Sequence, residues 1–480
     1  MKRTHILASI LIVAASLSAC DNFLELNPEH QISNNSFYQN QNDFERALLG
    51  AYSSFRGLYS GSAILYAAEL RTDNAEIHWT SPSTDEMQFE QNALTSTNGT
   101  VRGIWNTCLR TISRCNTILN RIGNTEFDEQ AKNKIIGEAK FLRAFSYFYM
   151  VQLFGEVPVT AEEFSSPEQI AEADLTRKPV DAVYQVIIDD LSSAESLLPS
   201  TLNSDKTRAS IGTVKTLLGK VYLTRGNFDA AATELSEVIT SGQYGLHADY
   251  GALFSEGNNN LEESILEIQY VRGRGLGNNY SALFTPAITS MAIFPNNLQG
   301  SGRITPSLNL FNAYEEGDGR KDVSVNDSVP LINGNKTYAR YAMKFVDWDA
   351  VATSDGAITF TVLRYADVLL MYAEALNGLD RTDDALAEIN KVRDRVGLGD
   401  LDGLDKQTCA QAIENERRVE FAFEGHRWFD LLRSGHTREV VNAYYAGKNQ
   451  NFSVEEYELL FPVPLAEIEL NDDLTQNEDY

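Results

Sequence analysis

The densest group of residues that could do chemistry lies between positions 414 and 430. Acids, guanidinium groups and one imidazole alternate there with apolar side chains: Glu414, Glu416, Arg417, Arg418, Glu420, Glu424, His426, Arg427 and Asp430, with Val419, Phe421, Phe423, Trp428 and Phe429. Such groups could serve acid–base catalysis. Acids and bases three or four positions apart on a helix also form ion pairs that lock helices together. We favour this structural interpretation, because aromatic residues accompany the alternating charges.

Other catalytic signatures are missing from the sequence. No HExxH, CxxC, EF-hand or G-x-S-x-G pattern occurs, and no two of the six histidines are four positions apart. The glycine-rich stretch 272–277 does not begin a strand–helix phosphate loop, so it is predicted to be a flexible turn. Glycosidase carboxylates are defined by their distance in space, so the sequence neither shows nor excludes such a pair. We predict no catalytic residue, no metal site and no cofactor.

The helices that must position these groups are predicted from apolar residues spaced three or four apart. They cover approximately 105–122, 137–154, 180–198, 210–224, 228–241, 361–377, 382–396, 407–424 and 426–434. Two helix pairs have a tetratricopeptide-like spacing, with small residues twelve positions apart at Gly219 and Ala231 and at Ala373 and Ala385. Small residues at these points let paired helices approach closely.

The predicted fold is all-α dominated. It is a superhelix of tetratricopeptide-like helical hairpins at about 40–240 and 357–435, with long loop-rich insertions and minor short β-strands. One domain is predicted over 36–480, and its main loop-rich ligand region covers about 242–356. Residues 71–100 have the same Gly-, Asn- and Ser-rich texture. Loops of this length in a compact protein are usually functional.

The first twenty residues have the pattern of a lipoprotein signal. Two basic residues precede an apolar run from Ile6 to Leu17, which is shorter than the roughly twenty residues that a membrane-spanning helix needs. Ser18 and Ala19 suit a signal peptidase, and the thiol of Cys20 can take a lipid. We predict a signal peptide over 1–19, and a lipidated N-terminus and tether over 20–35. The alternative is an ordinary signal followed by a chance cysteine.

The net charge restricts the class of partner. Forty basic against 67 acidic residues give a charge of −27. Such a surface repels nucleic acid and anionic membranes, and it suits a neutral or cationic ligand better than a polyanion. The acids are scattered along the chain, so most of them are interpreted as solubilising surface. No nucleic-acid partner is predicted.

Several strings of residues, in order along the chain, resemble the SusD/RagB family of nutrient-binding outer-membrane lipoproteins. The strings are Cys20–Leu24, Lys140–Ala144 with Tyr147, Leu153–Pro158, Arg364–Ala375, Ile389–Arg395, Glu416–Phe421, Gly425–Leu431, Phe461–Pro464 and Thr475–Asn477. The resemblance implies a lipoprotein held in the outer membrane through Cys20 and facing the cell exterior. It also implies a lid on a SusC-like TonB-dependent transporter, to which the protein delivers glycans for nutrient uptake.

Ligand contacts in this family tend to come from variable loops, which correspond here to 71–91 and 270–348. The apolar face of a sugar ring stacks on aromatic side chains, while acids, amides and arginines pair with its hydroxyls. The ligand-binding candidates are Trp79 and Trp348 as platforms, with Asp73, Asn74, Tyr270, Arg272 and Tyr338 around them. Either tryptophan could instead pack a loop core. Trp105 and Trp428 lie in helical strings and are predicted to be core.

Three other functions remain open. The first is a peptide-binding member of the same family, which the acidic charge favours for basic peptides. The second is an α-helical glycoside hydrolase, which would release product from a polysaccharide. The third is plain scaffolding by the helical hairpins, against which the long loops argue.

Overall fold

Helices dominate the computed structural model, which describes residues 37–78, 81–164, 166–200, 204–287, 294, 298–331 and 333–480. The helical fold class is therefore confirmed. The α-helices are α1 (Gln41–Ser60), α2 (Ala63–Leu65), α3 (Thr84–Glu90), α4 (Gly99–Arg121), α5 (Glu129–Phe154), α6 (Pro167–Glu172), α7 (Val180–Leu197), α8 (Ile211–Thr224), α9 (Phe228–Thr240), α10 (Tyr280–Phe284), α11 (Leu308–Phe311), α12 (Lys321–Ser324), α13 (Tyr365–Gly378), α14 (Thr382–Arg395), α15 (Lys406–Glu420), α16 (Arg427–Ser434), α17 (Thr437–Gly447) and α18 (Leu465–Ile468).

Short strands form antiparallel pairs between these helices. They are β1 (Ala75–Glu76) with β5 (Thr305–Pro306), β2 (Val157–Pro158) with β3 (Arg177–Lys178), β4 (Ser264–Ile268) with β8 (Phe360–Arg364), and β6 (Val325–Pro330) with β7 (Lys336–Ala342). Two of these four pairs, β1–β5 and β4–β8, join segments that are far apart in the sequence. The strands therefore act as clasps that hold loops against the helical body.

The longest helix, α5, lies at the centre of the fold. It contacts α1, α4 and α7, and its side chains are buried around most of its circumference from Ile135 onwards. A helix that is apolar on so many sides is stable only between neighbours. Gly155 ends it with a φ of 71°, a backbone conformation that favours glycine. Trp105 on α4 and Trp428 on α16 are both fully buried, which confirms that they are core residues.

The two tetratricopeptide-like hairpins form as predicted, from α8 with α9 and from α13 with α14. Gly219 allows the first pair to approach closely, because a Cβ at this position would lie 2.5 Å from Leu235 Cγ. Gly378 has the same role between hairpins, since a Cβ there would lie 2.6 Å from the ring of Phe228. The twelve-residue spacing thus reflects real helix–helix contacts.

Four predicted helix boundaries were wrong by four residues or more, and two of these errors are that α4 and α5 begin earlier than predicted, at Gly99 and Glu129. Residues 361–364, predicted as the start of a helix, belong to β8, because their backbone pairs with β4 and the helix begins only at Tyr365. The helix predicted over 407–424 ends at Glu420. Phe423 has a φ of 67°, so the chain turns at this point and directs Glu424 into the interior.

Pairing of β1 with β5 brings the two predicted ligand loops together. His78 N donates to Gly302 O at 2.7 Å, and Ser307 N donates to Asn74 O at 2.9 Å. The region around residue 75 and the region around residue 305 therefore form one surface, although some 230 residues separate them. In the described part of the chain, no helix is both long and apolar enough to cross a membrane.

Candidate functional site

The charged cluster at 414–430 forms a buried network of ion pairs, as the structural interpretation predicted. Glu420 accepts hydrogen bonds from Arg364 and Arg320 at 2.5 and 2.9 Å, and it also pairs with Arg395. Burial alone would raise the pKa of Glu420, but these guanidinium groups outweigh it and hold the pKa well below its usual range. Most partners are distant in sequence rather than three or four positions away. The cluster therefore fixes α15 against other elements, and it does not form an open site.

Asp73 and Asn74, two predicted ligand residues, belong to this buried structure. Asp73 accepts from Arg427 Nε at 2.9 Å and pairs with Arg418 Nη2 at 2.9 Å. Asn74 donates to Glu69 Oε2 at 3.1 Å and accepts from Arg418 Nε. Both side chains are buried. The two side chains anchor the first loop to α15 and α16, and their role as ligand contacts stays a prediction.

Tyr270, another predicted ligand residue, is also buried, and its role as a ligand contact likewise stays a prediction. Its hydroxyl lies 3.4 Å from that of Tyr280, and the guanidinium of Arg56 lies 4.9 Å from its ring centroid. Burial raises the pKa of Tyr270 to about 12. The side chain supports the loop that follows it, and that loop forms the predicted turn, closed by a bridge between Val271 and Leu276.

Trp348 lines an open pocket of about 380 Å³, which we call the Trp348 pocket. The indole is partly buried, with ring centroids 5.6 Å from Phe294 and 6.2 Å from Tyr341. These contacts fix the ring while part of it remains accessible. The other lining residues are Gly251, Phe254, Ser255, Glu256, Asp322, Val323, Met343, Lys344, Val346, Asp347, Asp349 and Ile358.

Arg272 connects the predicted turn to this pocket. Its Nη2 donates to Asp347 Oδ1 at 2.6 Å and to Glu256 Oε2 at 2.7 Å. Asp347 is buried and also accepts from Ala357 N at 2.9 Å, so its position is fixed. Glu256 and Asp349 are exposed. The pocket thus combines a held aromatic ring, a fixed ion pair and two accessible carboxylates.

The three carboxylates of Glu256, Asp347 and Asp349 offer oxygens within 4.8 Å of one another. Oxygen ligands of this kind suit hard cations such as Ca²⁺. The guanidinium of Arg272 already neutralises part of their charge. Acidic side chains at the rim of a pocket can equally accept hydrogen bonds from a polar ligand.

A second pocket, of about 440 Å³, lies where the two loops meet; we call it the Lys448 pocket. Lys448 donates to Glu76 Oε2 at 2.8 Å, and Arg340 also pairs with Glu76. Burial would raise the pKa of Glu76, but these two cations outweigh it and lower the pKa. Tyr444 and Leu308 supply apolar surface to the lining.

Sequence reasoning missed the contribution of α17 to this pocket. Tyr444 lies on this amphipathic helix and Lys448 directly follows it, some 370 residues after Glu76, and no local pattern marks them. Tyr338, a predicted candidate, lies on β7 two residues before Arg340 and is 73% exposed. Trp79 lies outside the described residues. Of the predicted candidates, the structure leaves Trp348, Arg272 and Tyr338 accessible.

Two family models match this chain. The model described as "SusD family" matches residues 323–480, and the model described as "Starch-binding associating with outer membrane" matches residues 22–223. Together they include most of the helical body and the C-terminal elements. The region between them contributes Gly251, Phe254, Ser255, Glu256 and Asp322 to the Trp348 pocket, and the other lining residues lie within the matched range 323–480.

Curated relatives match across most or all of the chain. "SusD-like protein P2" of Formosa agariphila is 28% identical over 501 residues, which cover 98% of each chain. "Starch-binding protein SusD" of Bacteroides thetaiotaomicron is 24% identical over 410 residues, which cover 72% of each chain. These matches agree with the two family models.

Solved structures have the same fold. A "Laminarin binding SusD-like protein" superposes with a TM-score of 0.79 and 26% identity, over 92% of this chain and 100% of that chain. "Surface glycan-binding protein A from Bacteroides fluxus" also has a TM-score of 0.79, at 24% identity and the same coverage. Together with the family models and the relatives, these likenesses show that the chain belongs to the SusD/RagB family.

Proposed function

We propose that this protein is a cell-surface lipoprotein that binds glycans and delivers them to a SusC-like TonB-dependent transporter in the outer membrane. The observation that carries the binding proposal is the Trp348 pocket. It presents a fixed indole beside the exposed carboxylates of Glu256 and Asp349 and the Arg272–Asp347 ion pair. No catalytic role is assigned to any of these residues.

The chemistry of the pocket suits a sugar ring. The C–H-rich face of a pyranose stacks on an aromatic surface, and carboxylates accept hydrogen bonds from its hydroxyl groups. Because Phe294 and Tyr341 hold the indole, little conformational freedom is lost on binding. Relatives named for binding starch and laminarin support the same ligand class.

The Lys448 pocket is the second part of the proposed binding surface. It lies on the β1–β5 clasp, where Arg340 and Lys448 pair with a single acid, Glu76. Exposed Tyr338 lies two residues from Arg340 on the same strand. A long glycan could therefore contact apolar and polar groups beyond Trp348, and we expect chain length to increase affinity.

The location and the partner rest on the family. The matching model is described as associating with the outer membrane, and the lipid on Cys20 would provide the attachment. Two or three acyl chains anchor a protein stably, since each buried methylene contributes about 0.8 kcal/mol. A SusC-like transporter would then receive the bound glycan from the lid above it.

The proposal is tested with soluble protein lacking residues 1–20. Binding is measured by affinity electrophoresis and calorimetry against a broad panel of neutral and acidic polysaccharides and their oligosaccharides. We expect at least one glycan to bind and basic peptides not to bind. Failure to bind any glycan would refute the sugar part of the proposal, and capture of peptides instead would support the peptide-binding alternative.

The same experiment distinguishes glycan binding from the alternative function of a glycoside hydrolase. Chromatography of the bound glycan after long incubation should show unchanged chain length. If product appeared and Glu256→Gln or Asp349→Asn abolished its release, the protein would be an enzyme. These two carboxylates are the substitutions to test, because they are exposed beside the aromatic platform.

A further inference from the structure

An apolar groove of about 320 Å³ lies on the side of α4, and neither proposed binding pocket includes any of its residues. One wall is a single face of α4, formed by Trp105, Leu109, Ile112, Ser113 and Asn116. The opposite wall comes from the segment between β2 and β3 and from the C-terminal segment. The residues of this wall are Pro158 at the end of β2, Thr160, Glu162, Phe164, Ile170, Leu175, Glu467, Leu470, Asn471 and Leu474.

Two large apolar side chains of this groove are exposed. Ile170 is 48% exposed and Leu470 is 79% exposed. Both are held on anchored backbone. Asn471, next to Leu470, donates to Leu175 O at 3.3 Å, and Ile170 lies within helix α6. The groove is therefore a preformed apolar surface that is partly exposed to solvent.

The described chain begins close to one end of this groove. The guanidinium of Arg121 lies 5.0 Å from the ring centroid of Tyr38 and donates to Glu163 Oε2 at 2.7 Å. Glu163 lies between Glu162 and Phe164, which both line the groove. The described residues therefore begin beside the groove, at Phe37 and Tyr38.

The residues that precede position 37 contain a short apolar segment. Within residues 20–36, Phe23, Leu24 and Leu26 lie close together in a stretch that is otherwise mostly polar. The signal peptide and the lipid anchor explain Cys20, but they do not explain three large apolar residues just after it. Exposure of such side chains to water is unfavourable relative to burial against an apolar surface.

The distances allow this segment to reach the groove. Arg121 lies five residues beyond Asn116 on α4, which is about 7.5 Å along the helix. The groove then extends about 16 Å further, from Asn116 to Trp105. The eleven steps from Leu26 to Phe37 span at most about 40 Å when extended. The whole groove is within reach, with enough chain left for a bend at Pro28.

We infer that Phe23, Leu24 and Leu26 occupy the α4 groove and cover Ile170 and Leu470. Cys20 lies only three residues before Phe23, so its lipid would emerge within about 10 Å of the groove. Docking of this segment would thereby fix which side of the domain faces the membrane. This inference does not depend on the identity of the ligand or on the existence of the transporter.

Hydrogen–deuterium exchange of the mature chain from residue 20, carrying Cys20→Ser, tests the inference. We expect the amides of residues 23–26 to exchange at least tenfold more slowly than those of residues 31–35. A tenfold difference corresponds to about 1.4 kcal/mol of local opening free energy. The double variant Ile170→Asp, Leu470→Asp should abolish this difference, and because both side chains are exposed the fold should be retained.

Leu308→Asp is the matched control, since Leu308 is an exposed leucine that lines the Lys448 pocket instead. It should leave the protection of residues 23–26 unchanged. Conversely, Phe23→Ser with Leu24→Ser should accelerate exchange in α6. Equal exchange of residues 23–26 and 31–35 in the unmodified segment would overturn the inference. Protection of residues 23–26 that appears only when a barrel partner is added would also overturn the inference. The partner, and not the groove, would then cover this segment.

Discussion

At the scale of single residues, this fold buries charged side chains together with their ion-pair partners. Arg364 is buried among Glu263, Glu420 and Glu424, and it donates to all three carboxylates. A buried ion is tolerated only when it is paired and hydrogen-bonded. We therefore expect this arginine to hold together the junction of β8, α15 and the turn that follows it.

We expect Arg364→Met to lower the free energy of unfolding by about 3 to 5 kcal/mol, because each of three buried carboxylates would lose one of its cationic partners. Arg381→Met is the control. Arg381 pairs with Asp384 at the surface, where such pairs contribute about 0 to 1 kcal/mol. Urea unfolding of both variants measures the two values. Equal effects would contradict the role assigned to the buried network.

His426 gives the protein a measurable pH dependence. Burial lowers its pKa to about 3, helped by nearby Lys220, and its ring stacks on Phe421. The imidazole stays neutral in the folded state but takes a proton in the unfolded state below about pH 6.5. Stability from this group is therefore lost as pH falls, by about 1 kcal/mol between pH 6 and pH 5.

Glu69 opposes this trend, since burial raises its pKa to about 7 and its protonation stabilises the fold as pH falls. The difference in unfolding free energy between wild type and His426→Asn, measured at each pH, gives the contribution of the histidine alone. We expect the wild type to lose about 1 kcal/mol relative to the variant from pH 6 to pH 5, measured by urea unfolding. Parallel curves would show that His426 is protonated equally in both states.

The residues that sequence reasoning placed correctly had local signals. Trp105 and Trp428 lie in apolar helical strings, and these strings dictate burial. Asp73 and Asn74 were interpreted as ligand contacts, because the loop around them looks polar. Their partner Arg418 lies about 345 positions later, and no local pattern reveals a contact of that kind.

At the scale of elements, close helix packing depends on glycine. Gly219→Ala would place a Cβ against Leu235 in the buried α8–α9 contact. We expect this change to lower the unfolding free energy by about 1 to 3 kcal/mol, because overpacking exceeds the gain in helix propensity. Thermal and urea unfolding measure it.

Gly103→Ala on α4 is the matched control, since a Cβ there would meet open space. It should stabilise the protein by up to about 1 kcal/mol. If both substitutions stabilised the protein equally, α8 and α9 would not be in the close contact described. The two glycine-to-alanine substitutions are expected to change the unfolding free energy in opposite directions, so their comparison tests the close contact of α8 and α9.

Periodicity predicted most helices to within a few residues, as for α8, α9 and α14. It failed where an apolar run has two possible structures. Residues 361–364 continue the apolar pattern of the following helix, but pairing with β4 makes them a strand. Such pairing depends on a partner some 100 residues earlier, so a local pattern cannot decide it.

At the scale of the whole molecule, the binding surface exists because distant segments meet. Strand β1, helix α11, strand β7 and the C-terminal end of α17 with Lys448 together line the Lys448 pocket. The sequence predicted that residues 71–91 and 270–348 contribute ligand contacts, because long loops in compact proteins are usually functional. It gave no signal for α17, whose pocket residues look like those of any surface helix.

Surface display of the whole domain is expected from the proposed anchor. Protease added to intact cells should digest the protein, as it should any domain on the outer face of the outer membrane. A periplasmic protein serves as the protected control. Survival of the intact domain until the cells are broken would place it on the inner side of the outer membrane.

In the proposed function, Trp348 is the platform on which a bound glycan stacks. Calorimetric titration of a glycan identified in the panel into wild type and Trp348→Ala measures this most directly, with thermal unfolding to confirm that both are folded. Leu276→Ala, which shortens an exposed leucine of the predicted turn, is the control. We expect Trp348→Ala to weaken binding at least tenfold, or about 1.4 kcal/mol, and Leu276→Ala to bind as wild type does. A folded Trp348→Ala protein with wild-type affinity would contradict the claim.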